Sequence, residues 1–117
     1  MTNQAAEGEG VNGLGRLDDP EYPAFTIGQA SNLLTVQQAF LRSLDAAGIV
    51  SPQRSGGGHR RYSRRQLETI TRLRELLDQG HPLAAAARIV GLQNDLAAAN
   101  AEISDLRDQL RERDGTP

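Results

Sequence analysis

The stretch RSGGGHRRYSRRQ, residues 54–66, limits what this chain can fold into more than any other. Three consecutive glycines, Gly56, Gly57 and Gly58, are poor material for the interior of a helix or strand, because each loses more backbone freedom on ordering than any other residue. They suit a tight reversal. Ile49 and Val50 before them, and the alternation around Arg61 and Tyr62 after them, predict two short strands with the glycines at the tip. Helical patterns lie on both sides, so a small β-hairpin must be set into a mainly α frame.

Upstream, Thr26 can cap a short helix whose apolar residues Ile27, Ala30, Leu33 and Leu34 recur at helical spacing and which ends near Leu34. A turn at Thr35 leads to a second helix, Val36 to Ala47, with Val36, Phe40, Leu41 and Leu44 on one side; Gly48 stops it. Two short helices joined by a tight turn outline a helix-turn-helix. Downstream, Ser63 and Gln66 have capping-box spacing and open a third helix carrying Leu67, Ile70, Leu73, Leu76 and Leu77. Gly80 ends that helix, and Pro82 starts a short alanine-rich one, PLAAAARIVGL. From Leu92 the apolar residues follow a heptad: Leu92, Leu96, Ala99, Ile103, Leu106 and Leu110, flanked by polar side chains. Such a seam needs a partner. Pairing with a second copy is the favoured outcome, and a helix folded back on its own domain is the alternative.

The 117 residues carry a formal charge of only −2, yet that charge is unevenly spread. Residues 26–74 hold eight arginines against Asp45 and Glu68, a balance of +6, and each flank comes to −4. A basic module therefore lies between acidic ends. The absence of cysteine excludes disulfides and thiolate metal sites, and His59 and His81 have no companion ligand at metal-binding spacing, so no metal or cofactor is expected. The opening MTNQAAEGEGVNGLG lacks the basic and apolar regions of a leader, and no run approaches the ~18 apolar residues of a membrane span, which points to a cytoplasmic protein. The expected organisation is a disordered acidic tail over 1–22, a head over 23–91, a dimerisation helix over 92–113 and a disordered end over 114–117.

Glycines beside arginines could serve a nucleotide phosphate, but His59 and Arg60 stand where a Walker loop needs Lys and Ser or Thr, and the spaced glycines of a dinucleotide loop are missing. Two readings remain. The hairpin is either a wing that brings Arg60 and Arg61 to a polyanion, or an exposed loop kept soluble by its charge. A helix-turn-helix directly before it favours the wing. No His, Ser and carboxylate set can be assembled, and Asp45 and Glu68 have no evident acid–base partner, so an enzyme is not expected.

FTIGQASNLLTVQQAFLRSLDAAGIVSP, followed by GGGHRRYS and a leucine-rich helix, resembles the winged helix-turn-helix of the MerR family of bacterial transcription regulators over about residues 25–92. The resemblance implies a mainly α fold: a winged helix-turn-helix head with a small β-hairpin wing, then a C-terminal coiled-coil helix that pairs antiparallel with a second subunit. It implies double-stranded DNA as partner, bound by a homodimer at a pseudo-palindromic promoter site, with RNA polymerase or another regulatory protein as a further partner. Arg42 matches the family's backbone-contacting arginine of the second helix, and Arg60 and Tyr62 match the arginine and tyrosine of the wing; Arg61 joins them as a phosphate candidate. Gln37 and Gln38 begin the second helix, where side chains can reach base edges or simply remain solvated. Phe40 is either core or a contact to a thymine methyl, with core favoured. Ala39 stands where many members are polar or basic, and Ser43 and Leu44 replace a usually aromatic pair, so contacts there must differ. Members that sense metals or drugs carry cysteines or a further ligand domain; this chain resembles the short, sensor-free ones. A protein-interaction adaptor with a degenerate head is the alternative function.

Overall fold

Thr26 is where local chemistry first dictates structure: its hydroxyl accepts the Gln29 N–H at 3.1 Å while its own N–H donates to the Gln29 side chain at 2.9 Å. This closed capping box separates strand β1 (Phe25–Thr26) from helix α1 (Ile27–Leu34) in the computed structural model, which describes Arg16 and residues 18–115. Helix α1 ends as Thr35 enters left-handed backbone, φ 54°, a conformation that costs a β-branched residue energy unless neighbours hold it. They do. The Ser31 hydroxyl donates to the Val36 carbonyl at 2.5 Å, and Arg74 Nη1 donates to the carbonyls of Leu34 and Thr35 at 2.6 and 2.8 Å.

Helix α2 is Gln38–Ala46, shorter at both ends than the predicted Val36 to Ala47. Gln37 is its extended N-cap, and its carbonyl accepts the N–H groups of Phe40 and Leu41. Beyond the helix Gly48 takes φ 72°, and the N–H groups of Gly48 and Ile49 return to the carbonyls of Asp45 and Leu44. That closure corrects the predicted first strand. The Ile49 and Val50 N–H groups both donate to Leu44, and Val50 is buried, so neither can join a ladder. The hairpin instead pairs β2 (Gln53–Arg54) with β3 (Arg60–Tyr62), Gln53 opposite Arg61 and Arg54 opposite Arg60. Strand β1, unpredicted because two residues show no period, completes an antiparallel sheet of order β1-β3-β2.

Ser63 and Gln66 form the expected capping box, at 3.0 and 3.1 Å, at the start of helix α3 (Arg64–Asp78). Gly80, φ 97°, ends it, with the His81 N–H on the Leu76 carbonyl. Helix α4 then runs unbroken from Leu83 to Arg113. The short helix predicted over PLAAAARIVGL and the heptad segment predicted from Leu92 are therefore one, with Gly91 in its interior. A glycine in a helix interior costs only about 1 kcal/mol, which the alanine-rich sequence on both sides tolerates.

The chain divides into two compact units between Arg74 and Glu75, within α3. In the first, Ala30, Leu41, Leu44, Val50, Tyr62, Leu67, Ile70 and Leu73 form the core; Leu33, assigned by period to the buried side of α1, is exposed. In the second, Ala86 and Val90 are buried and residues 91–115 are exposed. The expected disordered tail is corrected over 18–22. There the Pro20 carbonyl accepts the Arg65 N–H at 2.9 Å, the Asp18 carbonyl accepts Arg64 Nη2 at 3.0 Å, and Glu21 pairs with Arg65. Asp114 and Gly115 form a turn closing α4. The expectations for residues 1–15, 17, 116 and 117 lie outside the described residues.

Candidate nucleic-acid interface

The hairpin tip closes over five residues, with the Ser55 N–H on the His59 carbonyl and the Gly58 N–H on the Ser55 carbonyl, both at 2.8 Å. Gly58 takes φ 80°, which disfavours any L side chain, and a Cβ at Gly57 would sit 3.1 Å from the His59 ring. Two of the three glycines thus answer to geometry. The tip leads into β3, and β3 pairs with β1 directly before the first turn of α1. This adjacency makes a cleft of about 250 Å³ lined by Thr26, Ile27, Arg42, Gly58, His59, Arg60 and Arg61. Three guanidinium groups and the positive end of α1 share it.

The sequence-predicted residues divide on inspection. Arg42, exposed on α2, has no ion pair among the described residues and donates Nη2 to the Gln38 side chain at 3.2 Å. Gln38 is therefore engaged in holding Arg42, while Gln37 is exposed at the N-cap with no side-chain capping bond. Arg60 and Arg61 are half-buried on β3, and Arg61 has no ion pair or side-chain hydrogen bond among the described residues. Tyr62 is not on this surface. It is fully buried in the core, its hydroxyl has no hydrogen-bond partner, and burial raises its pKa above the ordinary phenol value, with nearby Arg60 opposing the shift. A buried ring cannot meet a phosphate, so its expected role as a wing contact is corrected to a packing one. Phe40 is half-buried and Leu44 fully buried, so the residue replacing one of the usual aromatics is core.

Charge in the +6 segment overstates what is free. Arg54 and Arg60 both pair with Asp45, Arg65 pairs with Glu21, Arg64 donates to the Asp18 carbonyl, and Arg74 holds the Leu34–Thr35 turn. His59, Arg54 and Asp45 were missed as parts of this site. A signal for Asp45 was present: an isolated acid among eight arginines is positioned to bind some of them. On α4, Leu92, Leu96, Ile103, Leu106 and Leu110 are 44–62% exposed and Ala99 is exposed as well. No helix among the described residues is long and apolar enough to cross a membrane.

Residues 25–92 match the family described as MerR HTH family regulatory protein. The chain is 36% identical over 85 residues to a Streptomyces coelicolor protein provisionally named heat shock protein HspR, an overlap covering 72% of this chain. It spans 56% of that relative's length. The fold is similar to the crystal structure of a MerR-family transcriptional regulator from Bacillus cereus, with a TM-score of 0.53 over 79% of this chain and 83% of the other. At 17% identity that likeness speaks for the fold alone. With a family match over more than half its length and a winged helix-turn-helix head, this chain belongs to the MerR family of non-enzymatic, DNA-binding transcription regulators.

Proposed function

We propose that the chain acts as a homodimer on a pseudo-palindromic promoter site. Arg42, Arg60 and Arg61 meet phosphates and fix register, and Gln37 reads base edges, with Gln38 orienting Arg42. The observation that carries this reading is the cleft in which the three arginines lie beside the start of α1. The exposed seam Leu92, Leu96, Ala99, Ile103, Leu106 and Leu110 supports pairing with a second copy. A dimer of heads then presents two half-sites, and RNA polymerase or another regulatory protein is the natural second partner at a promoter. On the strength of the Streptomyces relative's name, heat-shock promoters are the first natural DNA to test.

The test begins by selecting bound fragments from a random DNA library at a fixed salt concentration. Arg60→Ala should then weaken cognate and unrelated DNA by similar factors and reduce the slope of log affinity against log salt by about 0.9. Gln37→Ala should lower cognate affinity alone, by roughly 1 to 3 kcal/mol, at nearly unchanged slope, since a base contact releases no counterion. If neither substitution matters, the head is not a DNA reader and the adaptor becomes the better account.

A further inference from the structure

Asp45 sits on α2 with only 16% of its side chain exposed, and one of its oxygens serves both strands of the wing. Oδ2 accepts from Arg60 Nε at 2.9 Å and from Arg54 Nη2 at 3.0 Å. Arg54 then uses its other terminal nitrogen, Nη1, on the Gly58 carbonyl at the tip, 3.2 Å away. A single carboxylate of the helix-turn-helix is thus tied to β2, to β3 and, through Arg54, to the glycine turn. Strand β3 is held by β1 and by the buried Tyr62, but β2 and the tip have less to hold them. Strand β2 has two residues and makes two register pairs with β3, and so short a ribbon is marginal by itself.

The manner of binding matters as much as its strength. Arg60 is held through Nε, the inner edge of the guanidinium, so its two terminal nitrogens have no partner among the described residues where Arg60 lines the cleft with Arg42 and Arg61. We infer that Asp45 is the positioning residue of the DNA interface: it orients Arg60 and anchors the wing tip while making no contact with DNA itself. This inference rests on the reading of the cleft as a phosphate site.

The sign of the effect separates positioning from simple charge. A carboxylate close to a polyanion repels it, so Coulomb's law alone makes removal of Asp45 tighten binding. Positioning demands the opposite. Without Asp45, two long side chains and the tip must be ordered at the moment of binding, and that ordering opposes association. Affinity of the full chain for an arbitrary-sequence duplex, over a range of salt, is the measurement, with thermal melting to establish folding. Asp45→Ala is expected to bind about tenfold more weakly with a nearly unchanged salt slope, since Arg60 still meets its phosphate once ordered. In the double variant with Arg60→Ala, the further loss is expected to fall well short of tenfold, because the two residues act through one contact. Glu21→Gln, which removes a carboxylate that pairs with Arg65 away from the cleft, should leave affinity level or raise it slightly. If Asp45→Ala does not fold, Asp45→Asn keeps the side-chain volume and carries the same expectation.

Unchanged or tighter binding by Asp45→Ala, while Arg60→Ala still weakens it, overturns the positioning role and leaves the phosphate site standing. If Arg60→Ala itself has no effect on affinity or slope, the phosphate reading falls and this inference with it.

Discussion

The head and the long helix treat apolar surface in opposite ways. In the head, Ala30, Leu41, Leu44, Tyr62, Ile70 and Leu73 are fully buried, whereas Leu92, Leu96 and Leu110 of α4 stand 53–62% exposed. The same contrast runs through their charges. Arginines of the head are held by partners distant in sequence, such as Asp45, Glu21 and the Leu34–Thr35 turn, while the Arg111–Asp108 pair of α4 joins residues one turn apart. The head buries most of its own apolar core and pairs many of its own charges. The helix is stabilised locally along its length and offers its seam to something else, and each fully buried leucine in such an interface contributes about 1.5 to 3 kcal/mol.

The contrast breaks most visibly at the seam. Replacing Ile103 and Leu106 together with Asp places uncompensated charge in any interface formed there, at several kcal/mol. Sedimentation should show a monomer whose head retains its circular dichroism and melting behaviour; a persistent dimer would remove the seam as the interface. Leu44→Ala tests the other half. It truncates a fully buried side chain and should destabilise the head by about 2 to 5 kcal/mol in denaturant unfolding, with oligomeric state unaltered at low denaturant. An effect below about 1 kcal/mol would mean that the core tolerates the gap by collapsing around it.

The smallest expected change is at Tyr62. Because its buried hydroxyl has no partner, Tyr62→Phe should leave the head as stable or up to about 1 kcal/mol more so, and should not alter DNA affinity. A tenfold loss of affinity would return Tyr62 to the interface. Burial raises its folded-state pKa, so the unfolded chain ionises first. Stability is complete below the ordinary phenol value and declines as pH rises through the higher folded one, and Tyr62→Phe should flatten that alkaline decline.

How much was legible in the sequence depends on the range of the interaction. The Ser63–Gln66 capping box, the Thr26 cap, the period of α3 and the glycine stops at 48 and 80 involve residues at most a few positions apart, and each appears at its expected place. The Thr26–Gln29 box even strengthens a cap expected from Thr26 alone. Ile49 and Val50 misled because β-branched residues favour strands, yet their N–H groups were taken by the preceding helix end. The alanine-rich helix and the heptad segment, read as separate units, are continuous because Gly91 within them is too weak a signal to break a helix. The arginine cluster marked the candidate interface, but matching the wing tyrosine to a surface contact overlooked how small the head is: with few large apolar residues, it uses Tyr62 as core.

By itself the sequence determined the helix-turn-helix, the third helix, the glycine turn, the basic middle and the exposed heptad, because all of these follow from propensity, spacing and charge within a few residues. Only the tertiary structure decided which arginines are available. Arg60 finds Asp45 15 positions away, Arg74 reaches Leu34 across 40 and Arg65 reaches Glu21 across 44. No local pattern encodes such partners: a guanidinium is freed or occupied by whatever the fold brings within about 3 Å of it, and that proximity exists only once the chain has packed.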